Sequence, residues 1–155
     1  MSTQLWQDGS WLCLMEMIIS LLVETNAMQA KVTWNSAFYG VEIHTEKRHF
    51  VVSALPTMVG RLDTAVLCME TMNGWRLPTF SEVESILDSI ARVNALMNEN
   101  GGHRIDLESV LWLDGDYGHS RSLKRVEGLC YILQYRQDTL SWWWQRREFR
   151  LVMPL

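Results

Sequence analysis

The most constraining stretch of this 155-residue chain is the hexad Gly74-Trp75-Arg76-Leu77-Pro78-Thr79. Gly74 can adopt the left-handed conformation that ends a helix, and Pro78 disfavours helix in the residue before it. Two capping boxes are possible directly afterwards, Thr79 with Glu82 or Ser81 with Glu84. The sequence therefore predicts that one helix ends before the hexad and another begins after it.

Periodic patterns predict a helix on each side of the hexad. Apolar residues recur every three or four positions over Phe80–Glu99, which is the spacing of one face of an amphipathic helix. A shorter helix is predicted over Asp63–Met72, and it carries Cys68. We expect the hexad between them to be structural, with Trp75 largely buried and Arg76 bound to backbone carbonyls or to a carboxylate within the domain.

Segments rich in β-branched and aromatic residues predict strands in the rest of the chain. These segments are Val32–Trp34, Phe38–Ile43, Phe50–Leu55, Val110–Leu113, Gly128–Tyr135 and Trp142–Met153. Two polar stretches are predicted to be turns between consecutive strands, Thr45–Arg48 and Gln134–Ser141.

The hexad and its acidic helix resemble a motif of the bacterial C-type-lectin-like domains found at the C-termini of collagen-like surface adhesins. They resemble the formylglycine-generating (sulfatase-modifying) family more distantly. The resemblance covers Arg61–Leu155 and includes, in order, the helix with Cys68, the segment Trp112–Tyr117 and a final strand pair ending in Phe149–Val152. It implies an α+β C-type-lectin-like fold over residues 31–155, with two helices, small antiparallel sheets and a long loop, preceded by an N-terminal helical segment at 1–30. Because this fold carries many unrelated functions, the resemblance does not identify a ligand.

Composition narrows the class of partner. The net charge of −4 argues against a nucleic-acid partner, which requires a basic surface. The local exception is the cluster Arg146, Arg147 and Arg150. Eight Trp and nine Met are a high content for this length, and such residues are enriched at the centres of interfaces. Association with copies or with a partner protein is therefore a hypothesis beside ordinary core packing.

The N-terminal segment Ser10–Gln29 is predicted to be a helix that is apolar nearly all round. Its apolar run is too short for a membrane span and contains Glu16, and no Lys or Arg precedes Lys31, so a signal peptide is not expected. One apolar stripe is Leu12, Met15, Ile19 and Leu22, and the other is Leu14, Met17 and Leu21. Either the helix packs on its own domain, or one stripe, taken here as Leu14, Met17 and Leu21, forms an oligomerisation contact with another chain.

Three cysteines, Cys13, Cys68 and Cys130, form neither an even disulfide framework nor a metal-type spacing. We expect all three to be free thiols, which is typical of a reducing compartment. The formylglycine-generating enzymes need a pair of cysteines in their C-terminal part, and Cys130 stands alone there. No enzymatic activity and no cofactor are therefore expected.

The longest polar, turn-rich stretch is Asp114–Ser122, at the place where lectin-like domains present their long loop. Its candidate ligand-binding residues are Asp114, Asp116, Tyr117, His119 and Arg121. Asp-x-Asp offers hard oxygen ligands to a cation, but the spacing is not that of an EF-hand and the calcium tripeptides of sugar-binding lectins are missing. The Asp and Gly residues are interpreted as turn formers, and no metal site is predicted.

The segment Trp142–Arg147 is predicted to open the last strand. Because alternate residues of a strand face opposite sides, Trp142 and Trp144 are expected on one face and Trp143 on the other. Two interpretations stay open: Trp143 packs under a loop, or it joins Arg146 in an aromatic and basic patch that binds a ligand.

Two classes of function follow from these patterns. The first is a non-enzymatic recognition module that binds a protein or glycan ligand at a cell or virion surface. The second is a structural assembly protein, such as a phage virion component, that forms homo-oligomers or binds a partner protein through its N-terminal helix and its Trp- and Met-rich surface. The compartment is not identified, but the weak signal-peptide pattern and the missing disulfide framework fit cytoplasmic synthesis before a place at a virion or cell surface, which favours the second class. The common use of the fold favours the first.

Overall fold

The computed structural model describes Met15 and residues 30–114 and 127–155. The first half of this region forms β1 (Lys31–Asn35), β2 (Gly40–His44), β3 (His49–Ser53), β4 (Met58–Gly60) and α1 (Leu62–Thr71). Two helices follow, α2 (Phe80–Asp88) and α3 (Ile90–Glu99), and then β5 (Val110–Trp112). The last part consists of β6 (Glu127–Ile132), a 3-10 turn (Leu133–Tyr135), β7 (Gln137–Trp142), β8 (Arg147–Phe149) and β9 (Val152–Pro154). The protein is therefore a mixed α+β protein, as predicted.

The strands form two sheets. The four-stranded sheet has the order β1-β2-β3-β9 and is antiparallel throughout, so that the chain's last strand returns beside the early hairpin with Met153 opposite Val51. The five-stranded sheet has the order β4-β8-β5-β6-β7, and only its β5–β8 pair is parallel. Strand β7 consequently lies at an edge of this sheet.

Two apolar clusters hold the elements together. The first lies between the four-stranded sheet and helices α2 and α3, and it includes Ile43, Val83 and Met97. The second lies around α1 and includes Leu62 and Phe149. Strands β5 and β6 contribute to both clusters, with Leu111 and Tyr131 buried in the first and Trp112 and Cys130 buried in the second. Their successive side chains alternate between the two clusters, as the pleat of a strand requires.

The hexad adopts the local structure that its residues predict. Gly74 has a φ of 86°, in the left-handed region, and its α-carbon faces the tip of Met153 so closely that a Cβ there would lie 3.0 Å from the Met153 methyl carbon. Thr79 is the N-cap of α2 and forms the capping box with Glu82, so of the two possible boxes the structure uses this one. The cap satisfies amide groups that the first turn of a helix otherwise leaves unpaired.

The predicted single helix over residues 80–99 is two helices, and that prediction is corrected at Ser89. This residue has φ −121° and ψ 23°, outside the helical region, and its amide bonds to the Ile86 carbonyl at 3.1 Å. The Ser89 carbonyl then accepts the amide of Val93 at 2.9 Å, which starts α3. The apolar period continues across the interruption, because residues of both helices reach the same cluster.

Two strand predictions are wrong in their boundaries. Phe38 and Tyr39 belong to the β1–β2 turn, where Tyr39 has a positive φ of 51°. The stretch 134–141, predicted as a turn, supplies most of β7, because the actual hairpin turn is the shorter 133–136, closed by Arg136 in the left-handed conformation.

The prediction for the N-terminal segment 1–30 falls almost wholly outside the described residues. Met15 is helical and its side chain is exposed. Leu14, Met17 and Leu21, the predicted oligomerisation residues, are not among the residues that the structure describes. Over the described part of the chain, none of the helices combines the length and the apolar character needed to cross a membrane.

Candidate functional site

The arginine of the hexad forms an ion pair with Glu82 in the first turn of α2. Arg76 donates to both carboxylate oxygens of Glu82, through Nη1 at 2.6 Å and Nη2 at 2.8 Å, and to the Leu77 carbonyl at 3.0 Å. Only 6% of the Glu82 side chain is exposed, against 30% of that of Arg76. The expectation that Arg76 binds a carboxylate and a carbonyl within the domain is therefore confirmed, and the bidentate geometry makes the contact specific.

The ionisation of Glu82 reflects two opposing effects. Burial disfavours its charged form, but the hydrogen bonds from Arg76 and Thr79 favour it more strongly, so the pKa of Glu82 lies below its usual value. The hydrogen bond with Glu82 likewise raises the pKa of Arg76, against the smaller effect of its burial. Glu82 thus joins the hexad to the first turn of α2 as a carboxylate.

Asp114 lies next to this ion pair. Its amide donates to the Pro78 carbonyl at 2.7 Å, which joins the end of β5 to the hexad. Burial raises the pKa of Asp114; attraction by Arg76 opposes this rise, and repulsion by Glu82 adds to it. The fold therefore holds this carboxylate in a position that disfavours its charged form, which is a feature of functional sites as well as of structural networks.

The ends of the 115–126 segment meet at one end of the five-stranded sheet. Asp114 leaves β5, and the chain returns at Glu127, the first residue of β6, which lies opposite Trp142 on β7. The structure therefore brings Asp114 and Trp142, the first residue of the tryptophan segment, to the same end of the sheet. The other predicted ligand residues, Asp116, Tyr117, His119 and Arg121, lie outside the described residues.

The tryptophan segment is a turn, which overturns the predicted alternation. Trp142 ends β7, and residues 143–146 turn, with the Gln145 amide donating to the Trp142 carbonyl at 2.9 Å. Trp143 packs against the second apolar cluster, its carbonyl accepts the Leu62 amide at 3.1 Å, and the Arg61 guanidinium carbon lies 5.3 Å from its ring centroid. Of the two interpretations of Trp143, packing under neighbouring structure is thus the one that its contacts support.

The exposed aromatic residues are the neighbours of Trp143. Trp144 is 55% exposed and Trp142 is 40% exposed, and Arg146 beside them is exposed as well. A large aromatic side chain in water forgoes most of its burial free energy, so exposed tryptophans next to an arginine indicate a contact surface. The prediction placed Trp143, and not these two residues, beside Arg146 in the candidate patch. It did so because it treated the segment as a strand, with Trp142 and Trp144 on the face opposite Trp143.

Only part of the predicted basic cluster is on the surface. Arg150 is 3% exposed, and it donates to the carbonyls of Ser53, His103 and Arg104 and to the Thr57 hydroxyl. Burial lowers its pKa to about 10, and the nearby charge of Glu148 offsets part of that effect. Arg150 therefore joins internal segments, and Arg146 is the member of the cluster that faces solvent.

Trp75 is less buried than predicted. It is partly buried at the border of the second cluster and makes an edge-to-face contact with Phe38, with the ring centroids 6.3 Å apart. Phe38 and Tyr39 are themselves exposed, so the hexad tryptophan lies beneath a surface aromatic turn and not in the centre of the core.

Cys68 and Cys130 are free thiols, as predicted, and Cys13 lies outside the described residues. Burial raises the pKa of Cys130 to about 11, so this thiol stays protonated at neutral pH. Within residues 30–114 and 127–155, no group of three His, Cys, Asp or Glu side chains is placed to hold a metal ion.

Comparison with known proteins adds no family to these findings: no protein-family model matches the chain, and no curated protein matches it. What the fold and the site define is an α+β protein with exposed tryptophan and arginine side chains and an ion pair whose carboxylate is buried.

Proposed function

We propose that this protein is a non-enzymatic recognition module of C-type-lectin-like fold that binds a protein or glycan ligand at a cell or virion surface. The observation that carries the proposal is the exposure of Trp144 and Arg146 in the turn that follows β7, whose last residue, Trp142, lies opposite Glu127, where the chain returns from the 115–126 segment. The order of the hexad, its acidic helix and the final strands, together with two small sheets, supports the fold.

The composition of this surface favours recognition. Trp and Arg are the residue types most enriched among side chains that dominate binding energy. Arg146 makes no salt bridge to any residue that the structure describes, so its charge is free to pair with an acidic group of a ligand. Trp144 offers a flat apolar face two residues away, and Asp114, whose amide donates to the Pro78 carbonyl, lies at the end of the sheet where β7 ends.

The chemistry of the described side chains supports binding over catalysis. The thiol of Cys130 is buried and has a pKa of about 11, whereas a nucleophilic cysteine needs an accessible thiolate. The Cys130 side chain is fully buried within the second apolar cluster.

The test is a binding screen with the full chain. Fluorescently labelled protein is applied to an immobilised glycan panel and, in parallel, to a displayed random-peptide library. We expect at least one glycan or peptide class to bind, and we expect Trp144→Ala with Arg146→Ala to weaken that binding by about 30-fold or more. Tyr135→Ala, which removes an aromatic ring that is 68% exposed at the other end of β7, is the matched control and should bind normally. Failure of the intact chain to bind either panel, or equal binding by the double variant, contradicts the proposal.

A structural assembly role is the second candidate, and the exposed turn residues Phe38 and Tyr39 favour it. Tyr39 keeps a positive φ, which is strained for a side chain of this type, while its hydroxyl donates to the Gly101 carbonyl at 3.0 Å. The sequence predicts that the assembly contact is the N-terminal stripe of Leu14, Met17 and Leu21. Light scattering on the double variant Met17→Glu with Leu21→Glu therefore tests this role. Dissociation of an assembly into folded monomers supports assembly through the N-terminal stripe, and an unchanged oligomer contradicts it.

A further inference from the structure

Strand β7 has one edge that no described strand covers. It is six residues long and pairs with β6 along its whole length, from Gln137 opposite Ile132 to Trp142 opposite Glu127. The other edge strands are shorter, with five residues in β1 and three each in β4 and β9. Edge strands are open to pairing with another chain unless charges, proline or bulges block them, and β7 carries a single charged residue, Asp138.

The hydrogen bonds of β6 show which residues of β7 face outward. The Leu129 carbonyl accepts the Leu113 amide at 2.8 Å, so the backbone groups of Leu129 point toward β5. In an antiparallel pair, opposite residues either exchange both hydrogen bonds or neither. Leu140, which lies opposite Leu129, therefore directs its amide and carbonyl to the free edge, and so does Asp138 two residues before it.

The next outward position is already closed. The Trp142 amide donates to the Gln145 side-chain oxygen at 2.9 Å, and its carbonyl accepts the Gln145 amide at 2.9 Å. The groups of Asp138 and Leu140 have no backbone partner among the residues that the structure describes. The free part of the edge is thus short and ends where the tryptophan turn begins.

One face of β7 carries three exposed side chains, the carboxylate of Asp138 and the apolar groups of Leu140 and Trp142. Leu140 is 61% exposed, and Trp142, on the same side of the pleat, is 40% exposed. An exposed leucine and an exposed tryptophan on an unpaired strand edge are the pattern that soluble proteins normally avoid, unless the edge is an interface.

We propose that β7 pairs with β7 of a second copy of this chain, antiparallel and centred on Leu140, so that two five-stranded sheets join into one. In this register the two Leu140 residues exchange their amide and carbonyl hydrogen bonds across the twofold axis. Their side chains then contact each other, and each Trp142 side chain covers the flank of the partner's Leu140. The interaction removes both exposed apolar side chains from water.

Charge selects this register over the neighbouring one. Centring on Thr139 would form more backbone bonds, but it would place Asp138 opposite the partner's Leu140 and bring the two Asp138 carboxylates to diagonal positions on one face. Centring on Leu140 separates the two carboxylates by four residues, about 13 Å along the strand. It also puts each Asp138 opposite Trp142 of the other copy, so that no carboxylate faces another.

The first experiment measures association by sedimentation velocity over a range of protein concentrations. The intact chain is expected to be a dimer, and Leu140→Asp, which sets two carboxylates against each other at the axis, is expected to raise the dimer dissociation constant by about 100-fold or more. Leu107→Asp is the matched control, since Leu107 is 47% exposed and belongs to the segment before β5 and not to β7. A monomeric intact chain, or equal association by both variants, overturns the proposal.

A second experiment tests the register. Cys13 and Cys68 are replaced by serine, while Cys130 is kept because its thiol is buried. Leu140→Cys should form an intermolecular disulfide under mild oxidation, because paired residues that exchange hydrogen bonds have Cα atoms about 5.5 Å apart, within disulfide range. Asp138→Cys should not, because its own copy lies too far away. Equal crosslinking of the two variants, or none by Leu140→Cys, contradicts the register.

Neither experiment depends on the proposed ligand surface. Each Leu140→Asp chain is expected to bind ligand through Trp144 and Arg146 as well as the intact chain does. Trp144→Ala is expected to lose ligand binding while it remains a dimer. The two proposals can therefore fail separately.

Discussion

Arg76 and Glu82 form a two-pronged hydrogen-bonded ion pair, 2.6 and 2.8 Å long, that joins the extended hexad to the first turn of α2. The same Glu82 carboxylate accepts the Thr79 amide at 2.9 Å, so one side chain both caps the helix and binds the arginine. The pair lies beside Asp114, where the 115–126 segment begins. A motif that is local in sequence thereby sets the position of the candidate site.

Removal of Arg76 should destabilise the fold. Arg76→Leu leaves the Glu82 carboxylate buried without its charged partner, and such a loss lowers the free energy of unfolding by about 3 kcal/mol. Urea denaturation followed by circular dichroism measures the change. Asp88→Asn, which removes an exposed partner of Arg136, is the control and should change stability by less than about 1 kcal/mol. Similar losses of unfolding free energy in both variants would contradict the larger contribution expected of the Arg76–Glu82 pair.

Glu82 should also make stability depend on pH. Its pKa is lowered in the folded state, so the stability it contributes is fully present above the usual pKa of a glutamate and is lost as pH falls through the folded-state pKa. We expect the difference in unfolding free energy between the wild-type chain and Glu82→Gln to shrink as the pH is lowered from neutral toward 3. A difference that stays constant over this range would contradict the ionised state of Glu82.

Asp114 should have the opposite dependence. Its folded-state pKa is raised, so above that pKa the charged carboxylate lowers the free energy of unfolding. This destabilisation disappears below the unfolded-state pKa. Asp114→Asn is therefore expected to raise the thermal midpoint at neutral pH, with the gain vanishing at acidic pH. If the same variant loses ligand in the binding screen, the carboxylate is retained for binding at the expense of stability. A lower midpoint at neutral pH would show that Asp114 stabilises the fold.

Two glycines should respond differently to alanine. A Cβ at Gly40 would overlap the Val52 carbonyl oxygen on the adjacent strand, so Gly40→Ala should lower the free energy of unfolding by about 3 kcal/mol or more. At Gly101 a Cβ meets open space but the φ is 74°, so Gly101→Ala should cost about 1 kcal/mol from backbone strain alone. Chemical denaturation of both variants compares them, and equal losses would contradict the close approach at Gly40.

The sequence by itself determined the elements that depend on near neighbours. The Thr79–Glu82 capping box, the left-handed Gly74 and the β2–β3 hairpin around Thr45–Arg48 follow from interactions between residues only a few positions apart. The apolar period from Val83 to Met97 likewise identified the buried face of α2 and α3, because helix geometry converts spacing directly into a face.

Tertiary structure alone decided the features that depend on distant partners. Arg146 and Arg150 are four residues apart in one basic stretch, yet Arg150 is buried because the carbonyls of Ser53, His103 and Arg104 converge on it. Trp143 is packed and Trp144 is exposed because β8 pairs with β5 and not with β7, so that the chain turns at residues 143–146. Strand order and hydrogen-bond direction are set by which strand pairs with which, and no local pattern in β7 records that its Leu140 backbone faces outward.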